Sequence, residues 1–121
     1  MNVAVIGASD KPDRYSYQAV MLLQEKGHTV FPVHQRIASI EGLSVYPSIK
    51  EIKESIDTIS MYVAADISTK LADDIVAKHP RRIIFNPGAE NPLLNDKLKK
   101  AGIQSIEACT LVMLRTNQFD Q

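Results

Sequence analysis

The chain has 121 residues, of which 45% are hydrophobic and 23% charged, a composition typical of one soluble globular domain that buries its own core. Its 14 basic and 14 acidic residues balance, and because nucleic-acid binding usually needs a basic excess, we expect no nucleic-acid partner. No apolar run approaches the roughly 18 residues of a membrane span, no signal peptide is predicted, and the single cysteine favours a reducing cytoplasm.

The first predicted strand leads into a loop suited to phosphate. Val3–Ile6 is a short apolar run typical of buried parallel strands, and Gly7 allows a sharp turn that brings backbone N–H groups near a ligand. A helical pattern follows, and helix N-termini attract anions through unpaired amides and aligned peptide dipoles. Arg14 also fits a solvated loop charge. The candidate binding residues of this loop are Gly7, Ala8, Ser9, Lys11, Arg14 and Tyr15.

The loop lacks the glycines of a dinucleotide fingerprint. Ser9 and Pro12 stand at the second and third glycine positions of G-x-G-x-x-G, and no P-loop is present. The second predicted strand, Thr29–Val33, is followed by His34 and Arg36, where an NAD-binding protein has an acid for the ribose 2′-hydroxyl. A basic residue at this position favours a nucleotide with an additional ribose phosphate, so NADP and coenzyme A are both candidates. A solvent-exposed loop charge is the alternative for Arg36.

The middle of the chain continues the alternation of helix and strand. Apolar residues at helical spacing over Tyr15–Leu23 predict the first helix, and Gly27 is typical of its end. A loop over residues 34–44 follows the second strand. Ser48–Glu51 forms a capping box that predicts a short helix, and Ile56–Ala64 is the next predicted strand.

The second half repeats the same pattern. Asp66 or Ser68 is expected to cap a helix that Pro80 ends, and Asn91 with Pro92 is expected to begin the following one. In chain order, the predicted elements are a helix over residues 66–80, the strand Arg82–Phe85, the turn Asn86–Gly88, the helix Asn91–Gly102, the strand Ile103–Ile106 and the short helix or apolar tail Cys109–Leu114.

This order predicts a Rossmann-like α/β fold. Right-handed crossovers place five parallel strands in one doubly wound sheet between two helix layers, as a single domain over residues 1–121. Ligands of such sheets bind outside the carboxyl ends of the strands, where the strand order reverses. The first loop, the His34 region, the segment after Val63 and the Asn86–Gly88 turn all emerge at that edge, which predicts one shared cleft.

The chain resembles the small stand-alone coenzyme A-binding proteins, whose fold is similar to the coenzyme A domain of succinyl-CoA synthetase. The resemblance rests on the segment from Val3 to Tyr17 with its S-x-K-P-x-R spacing, on residues 27–33 and on Val45–Ser48. It implies a pyrophosphate site at Gly7, Ser9, Lys11 and Arg14, and an adenosine site bordered by Pro32 and Val33. The chain departs from the family pattern at His34-Gln35, Ala64-Ala65 and Thr110-Leu111.

No catalytic or metal-binding constellation is predicted. His28, His34 and His79 are scattered, none has triad spacing with Cys109, and only His34 is expected at the ligand edge. Two hypotheses follow from different classes. The favoured one is a non-catalytic module that binds coenzyme A or an acyl-CoA, as a homo-oligomer or with an acyl-transferring partner protein. The alternative is a small NADP-dependent or acyl-CoA-processing enzyme.

Overall fold

The computed structural model describes residues 1–120; Gln121, the last residue of the predicted domain, lies outside them. The strands are β1 (Asn2–Ile6), β2 (Thr29–Val33), β3 (Ser39–Ile40), β4 (Leu43–Ser44), β5 (Thr58–Met61), β6 (Arg82–Phe85) and β7 (Gln104–Glu107). The helices are α1 (Tyr15–Glu25), α2 (Ala65–Lys70), α3 (Ala72–Lys78), α4 (Pro92–Lys100) and α5 (Thr110–Arg115), with a 3-10 turn over Ile49–Glu51.

Five parallel strands form the central sheet in the order β2-β1-β5-β6-β7. β1 pairs with β2 on one side and with β5 on the other, so the chain reverses its direction across the sheet after β2. The predicted doubly wound α/β fold is therefore confirmed. The reversal lies between β1 and β5, and the crevice outside their carboxyl ends is the expected ligand position in this topology.

Two apolar layers cover the sheet. Because side chains alternate between the faces of a strand, Ala4 and Ile6 pack in the layer of α3 and α4, whereas Val3 and Val5 pack in the layer of α1 and α5. Helices on both faces cover the central strands, which explains the continuous buried apolar run Val3–Ile6 of β1. Among residues 1–120, no helix is both long and apolar enough to cross a bilayer.

The predicted loop over residues 34–44 contains a hairpin. β3 and β4 pair antiparallel, and the two residues between them, Glu41 and Gly42, both have positive φ, 48° and 83°. Positive φ at both positions is the requirement of a type I′ turn. Sequence reasoning missed this hairpin because the usual turn dipeptides are Asn-Gly and Asp-Gly, and its strands have only two residues each.

The helix expected after the third long strand is two helices. α2 and α3 meet at Leu71, and Ala64 is the N-cap of α2, without a side-chain cap. The predicted capping by Asp66 or Ser68 is wrong, because both residues lie inside α2. Ser68 is buried and its hydroxyl accepts a hydrogen bond from Asn91 Nδ2 at 2.7 Å.

Candidate functional site

The first loop leaves β1 at the reversal of strand order, directly beside the end of β5. Gly7 has φ +88°, and a Cβ atom at this position would lie 2.9 Å from Val63 Cγ1 and 3.3 Å from Tyr62 Cβ. Contacts below 3.0 Å are not found for real Cβ atoms. The glycine therefore serves both the turn and the close packing of the loop against the segment that follows β5.

The first amides of the loop are already paired. The N–H groups of Gly7 and Ala8 both donate to the Val33 carbonyl, at 3.1 and 3.3 Å, and Ala8 is only 1% exposed. This differs from the expectation that the turn itself presents its amides to a ligand, because those donors fasten the loop to the end of β2. Donors available to a ligand begin at Ser9.

The N-terminus of α1 is uncapped. Its N-cap residue is Arg14, which makes no side-chain capping bond, and the first turn contains no acid. Within residues 1–120, the amides of Tyr15, Ser16 and Tyr17 have no acceptor. Unpaired amides at the positive end of an 11-residue helix form a ready site for an anion.

Polar side chains surround this helix end. Ser9 Oγ accepts a hydrogen bond from the Lys11 amide at 3.1 Å, which shapes the loop and leaves the hydroxyl proton free to donate. Lys11 and Arg14 are exposed, and neither is ion-paired with another residue of the described chain. The loop thus places donors and two positive charges beside the open amides, although Asp10 and Asp13 also lie in it.

The end of β2 closes the other side of the crevice. Pro32 and Val33 are buried at the end of this strand, and Val33 packs in the core layer below it. The amide of His34 donates to the Tyr46 carbonyl at 3.0 Å, and His34 Nδ1 accepts from the amide of Arg36, also at 3.0 Å. These bonds fix the turn and leave His34 Nε2 and the exposed Arg36 guanidinium as the polar groups on this side.

The structure brings the predicted site residues to one edge of the sheet, because the Val33 carbonyl joins the loop to β2. Their accessibility differs. Ala8, Pro32 and Val33 are buried and can shape a site only through their backbone and packing, whereas Tyr15 is 69% exposed.

Sequence reasoning missed a buried polar network beyond the crevice. Asn86 Nδ2 donates to Ser60 Oγ at 3.0 Å, Ser60 Oγ lies 2.8 Å from Thr110 Oγ1, and the Thr110 amide donates to Asn86 Oδ1 at 2.8 Å. This network fastens the start of α5 to β5 and β6. The only sequence signal was the turn Asn86-Pro87-Gly88, whose asparagine also fits an ordinary turn residue.

Tyr62 follows β5 and stands beside this network. Its hydroxyl is buried and has no hydrogen-bond partner within residues 1–120. Burial raises the pKa of Tyr62 to about 12, so the phenol is neutral at physiological pH. Its position after the strand next to β1 is the signal that sequence reasoning did not use.

The other candidate reactive side chains do not meet in the crevice. His28 Nε2 lies 3.2 Å from Asp120 Oδ1, His79 Nε2 lies 3.2 Å from the Ala101 carbonyl, and Cys109 is the N-cap of α5. Among residues 1–120, no group of three or more His, Cys, Asp or Glu side chains is placed to share a metal ion. An open depression of about 550 Å³ lies at the opposite edge of the sheet, beside the Arg81–Asp57 ion pair of 3.1 Å.

Comparison with known proteins finds a matching family model, two related proteins and a similar solved structure. A family model described as a CoA binding domain matches residues 1–115. The uncharacterized protein YneT of Bacillus subtilis is 27% identical over 100 residues, which are 83% of this chain and 74% of that protein. The alpha subunit of an ADP-forming acetate–CoA ligase II of Pyrococcus furiosus is 39% identical over 56 residues, 46% of this chain and 12% of the subunit. A crystal structure of an uncharacterized protein superposes with a TM-score of 0.92 at 31% identity, over 98% of this chain and 97% of that one.

Proposed function

We propose that this chain, which belongs to the family of CoA-binding domains, binds coenzyme A at the edge of the sheet where β1 and β5 end. The observation that carries the proposal is the uncapped N-terminus of α1, with three unpaired amides and no acid in its first turn, beside Ser9 and Lys11. Such a helix end stabilises a diphosphate through its amides and its dipole. Coenzyme A supplies a thiol that carries an acyl group as a thioester.

The surrounding side chains divide the ligand into parts. Ser9, Lys11 and Arg14 hold the pyrophosphate, since hydroxyl, ammonium and guanidinium groups all donate to phosphate oxygens. Pro32, Val33 and His34, at the end of β2, border the adenosine. Arg36 pairs with the 3′-phosphate of the ribose, the group that distinguishes coenzyme A from NAD.

We further infer that the chain carries the cofactor without transforming it. The groups proposed to hold the nucleotide are donors and cations, and none is paired with a base that would make it a nucleophile. An acyl-transferring partner protein, or a second copy of the chain, would then complete the reaction.

Ligand-dependent unfolding tests the proposal. Coenzyme A at 100 times its dissociation constant stabilises the native state by about 2.7 kcal/mol. We expect it to raise the unfolding temperature, NADP to do so less, and NAD not at all, because the loop lacks the fingerprint glycines. A native mass spectrum of the isolated protein identifies any nucleotide that co-purifies. A clear shift with NAD and none with coenzyme A would overturn the assignment.

A further inference from the structure

Large exposed apolar side chains are distributed along the edge of the sheet that carries the proposed site. Four of them lie in the first turn of a helix that follows a parallel strand, and a fifth lies in the last strand. Parallel strands followed by helices present these first turns at the carboxyl edge. These five residues are Tyr15, Ile67, Leu93, Ile106 and Val112, and Met1 is the other large hydrophobic residue that is exposed.

The segment after β5 is the apolar part nearest the phosphate loop. Gly7 has no side chain, and the Val63 side chain occupies the space that a Cβ would need. Val63 is half-buried and Ala64 is exposed. A pantetheine arm leaving the pyrophosphate at Gly7–Tyr15 therefore meets an apolar surface first.

Ile67 extends this surface. It is 47% exposed, and it lies on the side of α2 that faces away from α4. The Ser68 and Thr69 hydroxyls accept hydrogen bonds from Asn91 Nδ2 at 2.7 and 2.9 Å, which marks the side of α2 toward α4. At 100° per residue, Ile67 stands about 150° around the helix axis from that side. Because α4 packs against β7, which lies on the opposite side of β5 from β1, the side of α2 that carries Ile67 is the one toward β1.

Charge divides the same edge. The connections after β5, β6 and β7, residues 62–67, 86–91 and 107–109, contain no Lys, Arg or His but include Asp66, Glu90 and Glu107. The exposed bases Lys11, Arg14 and Arg36 belong to the half of the edge beside β1 and β2. Lys70, one turn after Ile67, is the nearest base on α2, and the exposed acids of these connections outnumber it. A carboxylate at the far end of the ligand would therefore meet mostly acids, whereas an aliphatic group would cover exposed apolar surface.

We infer that the ligand is a CoA thioester of an uncharged aliphatic acid, whose acyl chain lies against Val63 and Ile67. The inference rests on the proposed function and specifies the acyl group that this site accepts. Butyryl-CoA and succinyl-CoA form a matched pair of probes, because both carry four acyl carbons and differ in a terminal methyl or carboxylate.

Calorimetry with the intact chain tests the inference. We expect butyryl-CoA to bind about tenfold more tightly than coenzyme A, the effect of burying roughly two methylene groups, and succinyl-CoA to bind no more tightly than coenzyme A. Equal affinities for all three ligands would overturn the inference and leave the proposed function standing. Binding of none of them would refute the proposed function itself.

Two serine variants locate the contact. Ile67→Ser is expected to weaken butyryl-CoA binding more than coenzyme A binding, and so to remove most of the preference for butyryl-CoA. Leu93→Ser is the matched control, since Leu93 is 67% exposed at the same edge but lies beyond Asn91, on the other side of α2. If Ile67→Ser weakens coenzyme A and butyryl-CoA equally, the side chain contacts the part common to both ligands and the inference is wrong.

Discussion

Lys11 provides the clearest test of charge at the proposed pyrophosphate site. We expect Lys11→Ala to weaken coenzyme A binding by about 2 kcal/mol and Ser9→Ala by about 1 kcal/mol, because the lysine donates a charge-assisted hydrogen bond and the hydroxyl a neutral one. Both residues lie in a loop open to water, so the lysine effect should shrink as salt rises. Calorimetry at two ionic strengths measures both effects.

Lys26→Ala is the matched control for this experiment. Lys26 is exposed at the C-terminal end of α1, the end of the helix that is remote from the proposed site. Its removal changes the net charge equally and should leave the affinity unchanged. Identical losses for the Lys11 and Lys26 variants would mean that the ligand responds to overall charge and not to the loop.

Arg36 tests the identity of the nucleotide. If its guanidinium pairs with the 3′-phosphate, coenzyme A binds more tightly than dephospho-coenzyme A by about 1.5 to 3 kcal/mol, or less where water screens the pair. Arg36→Ala should erase this preference and leave dephospho-coenzyme A binding nearly unchanged. Two proteins and two ligands form a cycle that isolates the one contact. If Arg36→Ala weakens the binding of both ligands equally, the arginine stabilises the fold or contributes to the general electrostatic field.

At the scale of elements, the junction of the first loop with the segment after β5 explains why position 7 requires glycine. Gly7→Ala meets two costs, a left-handed backbone of roughly 1 to 2 kcal/mol and a clash with Val63 of about 1 to 3 kcal/mol. Gly27 has nearly the same φ, +90° against +88°, but nothing lies within 4 Å of the space its Cβ would fill. We expect Gly7→Ala to lower the free energy of unfolding clearly more than Gly27→Ala in urea denaturation. Equal losses would show that the loop relaxes away from β5.

Comparing the predicted with the observed elements shows which features of the fold local sequence patterns can predict. The strand β6 and the start of α4 at Asn91 were predicted as observed, since a buried parallel strand and an Asn-Pro helix start have local signals. The break at Leu71 was not predicted, because residues 65–78 contain no Gly or Pro that would signal it. The contact between Gly7 and Val63 requires that β5 lie beside β1, which no local pattern specifies.

At the scale of the whole molecule, the two edges of the sheet have different roles. The carboxyl edge carries the residues predicted for the site, because the parallel strands that precede them all end there. The amino edge has long-range contacts that composition did not indicate. There the buried Arg82 donates to the Phe119 carbonyl and lies 4.6 Å from the centre of its ring, and His28 packs edge-on against the same ring.

Two ionisable groups at this edge predict how stability depends on pH. Burial and the Met1 amino group lower the pKa of His28 below its ordinary 6.5, against an opposing effect of Asp120. Partial burial alone would raise the pKa of Asp57, but hydrogen bonds from Arg81 and Thr58 lower it below 3.8.

The signs of these shifts define two windows. The unfolded chain protonates His28 at a higher pH than the native protein does, so the free energy of unfolding should fall as the pH drops below about 6.5. Asp57 stabilises the fold as a carboxylate, and that contribution should be lost as the pH falls further, below about 3.8. Urea denaturation from pH 8 to pH 3 should show His28→Gln flattening the first decline and Asp57→Asn the second. The slope against pH is the measurement, because each substitution also removes a contact. Parental slopes in both variants would mean that other groups govern the pH dependence.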